Sequence, residues 1–464
     1  MKDVRQEEKS GLCMGCGTCA GVCPLGAVEM VHDQRRGVYV PRVDDNLCNQ
    51  CGLCYQVCPG HAVDIDALDM ALFGKLPDYP WLGNYIQCYL GHATDYDIRF
   101  NATSGGLVTT LLIHALEEGM IDGAIVTRMR QDRPLEPQVF IARTPEEIIE
   151  AARSKYCPVP ANAGLREVME SSGRYAAVGL PCHVHGIRKA QQLAGAVREK
   201  VVLVLGLVCS NSATFLGTEY YLMQLGIDPN EVTRLDYRGR GWVGYITVRL
   251  KSGEEVSISK SMGHVRVRLE DDGRTAVPEP GESRFRRQAL HQYAFHRAFV
   301  IPRCLVCCDQ TAELADLSFG DARLPETRGE TAGKSLVVSR TGAGENLLRR
   351  AESTGKLELS EVTAEQFVTG CTSAFKRGVG GRYYALKVLK QPVPEYRTAK
   401  LAQPGPFRYL GIVPFLPSYL QSHRAIWPLL YPLALLFAVT GRMKALVSLA
   451  MKRALALVRG RARR

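Results

Sequence analysis

In the middle of the chain, segments with apolar residues at helical spacing alternate with short apolar segments typical of strands. An apolar stripe at helical spacing follows Gly106 and predicts a helix, and residues 124–127 predict the strand after it. Residues 175–180 and 201–208 are short apolar runs on either side of a helical segment at 185–195. This order predicts a β-α-β unit, whose two strands run parallel and end at the same edge of a sheet.

Two further local patterns extend this prediction of an α/β fold. Residues 244–250 and 254–259 alternate around a turn at 251–253 and predict a hairpin. Thr144 is a predicted helix N-cap, because Pro145 and Glu147 follow at the positions of a capping box. Residues 67–98 show little periodicity and are interpreted as a connection to the next domain.

Sixteen cysteines are present among 464 residues, and they are bunched rather than spaced as in a disulfide framework. The chain opens with the charged segment MKDVRQEEKS, which does not have the pattern of a signal peptide. We therefore expect a reducing, cytoplasmic compartment in which the cysteines bind metal.

Two cysteine repeats carry the strongest signal. Residues 13–24 and 48–59 both read C-x2-C-x2-C-x3-C-P, a run in which three cysteines bind one 4Fe–4S cluster and the fourth binds the other. A pair of zinc knuckles is the alternative, but zinc sites rarely use four cysteines per repeat at this spacing. The prediction is a ferredoxin-like domain at residues 1–66 with two clusters. One is bound by Cys13, Cys16, Cys19 and Cys58, and the other by Cys48, Cys51, Cys54 and Cys23.

A third group of cysteines is predicted from the β-α-β unit. Cys182 and Cys209 directly follow its two parallel strands, so they should lie side by side at one sheet edge. Together with Cys304 and Cys307 they would bind a third 4Fe–4S cluster. Three alternatives stay open here: Cys182 and Cys209 could be buried structural residues, Cys308 could replace Cys307, and His183 with His185 could favour zinc.

An anion site is predicted where small residues open the helix after residue 106. Thr103, Ser104, Gly105 and Gly106 precede it, and a helix N-terminus of this kind suits a phosphate or pyrophosphate. Ordinary N-capping is the alternative. Lys155 could meet a phosphate or a flavin ring, or else belong to a solvated helix end. The cationic and aromatic set Arg238, Arg240 and Trp242 could contact a phosphate and a planar ring, or form a solvated loop.

These elements together resemble the coenzyme F-420 hydrogenase/dehydrogenase beta-subunit family. The matching segments are ATSGGLVTTLL, SKYCP, VGLPCHVHGI, LVCS, YRGRGW and CLVCCD followed by ADLSFGD, in family order over about residues 80–340. The resemblance implies an α/β domain that binds FAD and an iron–sulfur cluster, after a ferredoxin-like domain. By position it places 103–106 and Lys155 in the flavin region and Cys182, Cys209, Cys304 and Cys307 in the cluster region. The Cys307-Cys308 pair departs from the common pattern.

The net charge of +11 is confined to the end of the chain. Residues 396–464 hold 12 Lys and Arg and no acidic residue, whereas residues 1–395 hold 46 basic and 47 acidic side chains. A body without a basic patch argues against binding of nucleic acid. The longest uncharged apolar run of the tail, 425–439, has about 15 residues, fewer than the roughly 20 that span a bilayer. We predict that 396–464 forms a helical tail attached to the inner face of the cytoplasmic membrane, or else docks on a partner subunit.

The domain prediction is therefore a ferredoxin-like domain (1–66), an FAD and iron–sulfur oxidoreductase domain (67–395) and the tail (396–464). The predicted function is an oxidoreductase that moves electrons between the clusters and, through FAD, a two-electron carrier such as the deazaflavin coenzyme F-420. The expected protein partner is ferredoxin or another oxidoreductase subunit. The alternative is a ferredoxin-linked electron-transfer subunit of a membrane-associated complex, without a small-molecule substrate of its own.

Overall fold

The computed structural model describes residues 3–260, 265–269, 276–278, 298–371, 376, 378–401, 421, 422, 424 and 427. An N-terminal module of short helices and a hairpin packs on a mixed α/β body. The elements of the module are α1 (Arg5–Lys9), α2 (Thr18–Gly21), β1 (Val28–Asp33), β2 (Val38–Val43), α3 (Leu53–Gln56), β3 (Ala62–Asp64) and α4 (Ile65–Phe73). Strands β1 and β2 pair antiparallel, with Val28 opposite Val43.

The body is built from two sheets. Their strands are β4 (Gln87–Ala93), β5 (Gly123–Met129), β6 (Pro137–Ala142), β7 (Tyr175–Gly179), β8 (Val201–Leu207), β9 (Val232–Asp236), β10 (Tyr245–Leu250), β11 (Glu255–Ser259), β12 (Val265–Leu269), β13 (Ala276–Pro278), β14 (Leu317–Asp321), β15 (Ser335–Ser339) and β16 (Leu357–Val362). A further strand, β17 (Glu395–Arg397), lies outside both sheets and pairs with β3. The larger sheet has the order β16-β4-β15-β14-β8-β7-β5-β6, and the smaller one has the order β13-β12-β11-β10-β9.

Four neighbouring strands at the centre of the larger sheet are parallel, namely β14, β8, β7 and β5. The predicted pairing of the strands at 175–180 and 201–208 is confirmed, with Ala177 opposite Val204. The carboxyl ends of these strands lie at one edge of the sheet, where α/β proteins form their ligand sites. The predicted hairpin is also confirmed, as β10 pairs antiparallel with β11.

Helices pack on the two sheets and on the loops around them. They are α5 (Tyr96–Asn101), α6 (Leu107–Glu117), α7 (Pro145–Glu150), α8 (Leu165–Glu170), α9 (Pro181–Leu193), α10 (Gly195–Lys200), α11 (Phe215–Gln224), α12 (Gly342–Ser353), α13 (Ala364–Cys371) and α14 (Val379–Val388). The predicted capping box is present at α7, where Thr144 accepts from the Glu147 amide. Leu111 of α6 and Leu205 of β8 are fully buried in one hydrophobic cluster, so this helix is fixed against the sheet.

The interpretation of residues 67–98 as a connection was wrong. This stretch contains α4 and also β4, which lies between β15 and β16 in the larger sheet. Cys88 and Tyr89 of β4 are almost fully buried. The strand was missed because Gln87, Gly91 and His92 interrupt its apolar pattern, and its pairing partners are more than 240 residues away in the chain.

The C-terminal segment returns to the N-terminal module. Strand β17 pairs in parallel with β3, so Glu395 lies opposite Ala62. Gln421 and Trp427 are buried against the body, and Thr214 donates to the Gln421 side chain at 2.7 Å. The rest of the predicted tail, 402–420 and 428–464 above all, lies outside the described residues. Within the ranges that the structure describes, no helix has the length and apolarity needed to cross a membrane.

Candidate functional site

The first cysteine group of the module is buried and its members interact. Burial raises the pKa of the Cys19 thiol well above its ordinary value, and the nearby Cys16, Cys58 and Cys13 raise it further. Burial likewise raises the pKa of Cys13 to about 12. Like charges raise a thiol pKa only when they are close, so these four thiols lie near one another, and Cys54 of the second set is also within electrostatic reach of Cys19. Iron would be bound by the thiolates of such a set.

The second cysteine group opens to the surface. Cys23, Cys48, Cys51 and Cys54 all line one cavity of about 150 Å³. Cys51 is exposed, whereas the members of the first group are buried or partly buried. Four soft ligands around a cavity fit a 4Fe–4S cluster, and this one would lie where an external redox protein can approach it.

The third cysteine group lies at the carboxyl edge of the parallel strands. Burial raises the pKa of the Cys182 thiol well above its ordinary value, with further increases from Cys16, Cys209, Cys304 and Cys307. Cys182 is the second residue of α9, while Cys209 follows β8 and donates its amide to Gln310 O at 2.9 Å. Cys304 and Cys307 belong to the turn that starts at Pro302. The donor set thus fits a cluster, although its assignment as ligands remains a prediction.

The alternatives for this third group differ in how well they fit. Cys308 is buried within a hydrophobic cluster, and its charged neighbours are Lys400, Glu313 and Asp309. His183 accepts from the Leu180 amide with Nδ1 at 3.0 Å and donates with Nε2 to Val159 O at 3.0 Å. Both ring nitrogens of His183 are therefore used, which disfavours zinc binding by this residue.

Three buried or half-buried cations surround the cysteine groups, and the sequence analysis missed them all. Lys376 is buried beside Cys209, Cys304 and Cys307, which raise its pKa against the lowering effect of burial. Arg303 donates to the carbonyls of Pro59 and Gly60 at 3.1 and 3.0 Å, directly after Cys58. Lys189 donates to Cys58 O at 2.8 Å. No local pattern marks these residues, because each meets its cysteines only through tertiary packing.

The module and α9 approach each other closely at Thr18. Asn162 donates to Thr18 Oγ1 at 2.8 Å and to His183 O at 2.9 Å, while its amide donates to Cys16 O at 3.0 Å. A side chain at Gly186 of α9 would collide with the Thr18 hydroxyl. This tight packing brings Cys16 of the first group into electrostatic reach of Cys182 of the third.

The predicted anion site at residues 103–106 is largely engaged in packing. Gly106 is the N-cap of α6 with φ +77°, and the Gly105 amide donates to Ser335 Oγ at 2.9 Å. A Cβ at Gly105 would lie 2.6 Å from Gly91 O, so the glycine is required by backbone packing. Ser104 donates to Lys334 O at 2.6 Å, and Thr103 accepts from the Ser154 amide at 2.9 Å.

Lys155 is partly exposed and lies within electrostatic reach of Asp236. Its Nζ donates to the carbonyls of Ala151, Ala152 and Arg153 at 2.5, 2.8 and 3.0 Å, and so caps the end of α7. Burial lowers the pKa of Lys155 to about 7. The structure thus shows a capping role for this side chain, and its contact with a flavin remains a prediction.

Arg238 carries the clearest sign of a missing ligand. It is 4% exposed, donates to Asp321 Oδ2 at 2.8 Å and to Val243 O at 3.0 Å, and lies 5.0 Å from the centre of the Trp242 ring. Its Nη2 is buried without a hydrogen-bond partner among the described residues. Lys260 lies 4.5 Å from the centre of the neighbouring Tyr156 ring. These cations and rings lie beside Asp321, at the carboxyl end of β14.

A buried network of charges lies next to the third cysteine group. The ligand atoms of His185, Asp309 and Glu313 are within 4.8 Å of one another, an arrangement that could hold a metal ion. However, Lys400 Nζ lies 2.5 Å from Glu313 Oε1, and His185 donates to Asp309 at 3.0 Å. Because the network already contains its own cation, we interpret it as structural.

Comparison with known proteins identifies three regions of the chain. Residues 88–166 and 172–365 match the family models for the N-terminal and C-terminal parts of the coenzyme F-420 hydrogenase/dehydrogenase beta subunit, together more than half of the chain. Residues 12–62 match a 4Fe–4S dicluster domain, which confirms the predicted ferredoxin-like domain and its iron–sulfur clusters.

Three similar proteins carry names that describe an activity. The beta subunit of the coenzyme F-420 hydrogenase of Methanosarcina barkeri is 28% identical over 61% of this chain and 84% of that protein. A subunit of the F-420H2 dehydrogenase of Methanosarcina mazei is 26% identical over 72% and 80%. A coenzyme F-420-dependent sulfite reductase of Methanocaldococcus jannaschii is 25% identical over 76% of this chain and 48% of that protein.

All three names describe oxidoreductases or their subunits, so the predicted enzyme class is confirmed. The iron–sulfur module matches the dicluster model, and the α/β body matches the two beta-subunit models. This chain therefore belongs to the coenzyme F-420 hydrogenase/dehydrogenase beta-subunit family.

Proposed function

We propose that this protein exchanges a hydride with coenzyme F-420 at a bound FAD and passes the electrons through three 4Fe–4S clusters to a partner redox protein. The observation that carries the proposal is the position of the third cysteine group. On one side, Cys182 lies within electrostatic reach of Cys16 of the module. On the other side, Cys209 follows β8, which pairs with β14, and the last residue of β14 is Asp321. A cluster there would connect the module to the Arg238 site.

The Arg238 site supports the binding of a flavin. A buried guanidinium whose Nη2 has no hydrogen-bond partner within the described part of the chain suits a phosphate or a ring oxygen, because leaving a charged donor unpaired in the interior is costly. Trp242 and Tyr156 supply aromatic faces beside it. The packing role of Gly105 shifts the expected anion contact away from the loop at 103–106 and toward Arg238 and Lys260.

FAD, when bound, exchanges a hydride with a two-electron carrier and exchanges electrons singly with clusters. The chain's own contribution would be to hold the ring and the phosphates in place. Asp321 fixes Arg238 through a 2.8 Å ion pair, and Asp236 fixes Arg153 at 2.7 Å. Lys260 and Arg238 bring the pKa of Tyr156 below its ordinary value although burial opposes this, so a cationic environment faces the site. Such an environment favours an anionic ligand.

Anaerobic purification of the full chain tests the proposal directly. About twelve irons and one FAD per chain are expected, since each of three clusters holds four irons. Reduced coenzyme F-420, reduced ferredoxin and NADH are then added separately while the flavin and cluster absorbance is followed. Bleaching by reduced coenzyme F-420 supports the proposal.

The same experiment separates the alternative function. Reduction by ferredoxin without any response to reduced coenzyme F-420 would favour an electron-transfer subunit with no small-molecule substrate of its own. The relatives that are named as subunits agree with either a partner complex or a direct reaction.

A further inference from the structure

The three cysteine groups differ in the positive charge that lies against them. Lys376 is 2% exposed and donates to Cys307 O at 3.3 Å. Its strongest electrostatic neighbours are Cys307, Cys209 and Cys304, three of the four cysteines of the third group. Among the described residues no carboxylate forms an ion pair with Lys376, and its closest negative charges there are these sulfurs.

Arg303 and Arg382 are also buried within electrostatic reach of Cys307, whereas carboxylates offset the cations nearest the other two groups. Lys189 lies near Cys58 and Cys16 of the first group, but Glu7 is within electrostatic reach and offsets its charge. Arg5 lines the cavity of the second group, yet it is ion-paired with Asp3 and Asp45 at 2.6 and 2.8 Å and is 41% exposed. An exposed and paired charge is largely screened.

Reduction of a cluster adds one negative charge. A buried positive charge beside it stabilises the reduced form, because the interior has a low effective dielectric constant and screens poorly. Net charge, hydrogen bonds to the sulfurs and solvent exposure set the potentials of iron–sulfur clusters. An uncompensated buried lysine should therefore raise the potential of the cluster that it contacts.

We infer that Lys376 raises the reduction potential of the third cluster, so that electrons collect at this cluster, between the flavin site and the module. The inference rests on the third cluster of the proposed function. It assigns Lys376 a role in the energetics of electron transfer, and the residue need not touch a substrate.

Potentiometric titration of the full protein, followed by electron paramagnetic resonance, tests this role. A Cys182→Ser variant that lacks four irons identifies the signal of the third cluster. In Lys376→Met the midpoint potential of that signal should fall while the other two stay unchanged, and Lys376→Arg should restore it. Lys387→Met is the matched control, because Lys387 is exposed on α14 and should shift no midpoint.

Each outcome decides the inference. Unchanged midpoints in a Lys376→Met protein that keeps its iron would overturn it. Loss of the third cluster from Lys376→Met would also overturn it, by assigning Lys376 to cluster assembly rather than to the potential. If the wild-type protein itself holds only about eight irons, the third cluster of the proposed function is absent, which is a separate failure.

Discussion

Lys400 and Glu313 form an ion pair of 2.5 Å whose side chains are only 2% and 1% exposed. Glu313 follows the turn that carries Cys304 and Cys307, and Lys400 lies just after β17. The ion pair therefore connects the C-terminal segment to the loop that contains Glu313, beside the third cysteine group.

Breaking this pair should be costly. Lys400→Met is expected to lower the free energy of unfolding by about 3–5 kcal/mol, because it leaves the Glu313 carboxylate buried without its cation. The double variant Lys400→Met with Glu313→Gln should recover most of the loss. Denaturant unfolding of the metal-free chain measures both. Arg397→Ala, which breaks an ion pair with Asp64 whose arginine is 81% exposed, should cost less than about 1 kcal/mol. Equal losses in Lys400→Met and Arg397→Ala would contradict the prediction.

The choice between Cys307 and Cys308 can be tested by iron content. Cys307→Ser should lose about four of twelve irons, because it removes one ligand of the third cluster. Cys308→Ala should keep all of them, since Cys308 is buried in a hydrophobic cluster beside Ala312 and Leu314. The reverse result would make Cys308 the ligand.

Arg238 should control flavin content. Truncating one member of a buried, charge-assisted contact costs about 2–5 kcal/mol, so Arg238→Met should weaken FAD binding at least about tenfold. Arg240→Met is the matched control, because Arg240 pairs with Glu255 at 2.6 Å and lies outside the Arg238–Asp321 contact. Equilibrium dialysis with FAD measures the effect. Full retention of FAD in Arg238→Met would show that this site does not bind the flavin. A Gly105→Asp variant is not a useful test of the flavin site, because any side chain at Gly105 collides with the backbone at Gly91.

Asp69 should make stability depend on pH. Burial raises its pKa from 3.8 to about 6, so the folded protein holds a proton that the unfolded chain has lost. Stability from this group is full below pH 3.8 and is lost as the pH rises through 6. Between pH 5 and pH 8 the wild type should lose about 1 kcal/mol that Asp69→Asn does not lose. Denaturant unfolding of both proteins at the two pH values gives the difference, and parallel curves would show that Asp69 does not titrate.

Truncation after Trp427 tests the tail without disturbing the body. A deletion that begins at residue 405 would also remove Gln421 and Trp427, which are buried against the body. Residues 428–464 hold eight Lys and Arg and no acidic residue, and each cation near an anionic leaflet contributes about 1 kcal/mol. The full chain should therefore sediment with anionic vesicles, less so at high salt, and the truncated chain should stay in solution with its iron. If the full chain does not bind the vesicles, docking of the tail on a partner subunit would be favoured.

Local patterns were enough to predict the cysteine repeats, the α7 capping box and the parallel neighbours β7 and β8. Each of these depends on spacing within a short stretch or on the chirality and order of adjacent elements. Strand β4 could not be predicted, because it is defined by hydrogen bonds to β15 and β16 rather than by its own apolar pattern.

The cysteines of the candidate site were predicted from the sequence, but the cations around them were not. Cysteines are recognised by type and spacing, whereas the functional meaning of Lys376 and Arg238 comes from burial, which a sequence does not display. For Gly105 the sequence motif predicted an anion site, whereas the structure shows that the glycine is needed for close backbone packing.

The pairing of β17 with β3 has a consequence for the kinetics of the protein. This pairing connects the C-terminal segment to the N-terminal module, and Arg303 donates further hydrogen bonds to the carbonyls of Pro59 and Gly60 nearby. These contacts and the hydrogen bond from Asn162 to Thr18 hold the module on the body, so it cannot swing between distant docking positions as a tethered carrier does. Electron hops inside the chain should then occur at fixed separations and be insensitive to solvent viscosity. The slow, diffusion-dependent events would be the encounters with the external carriers.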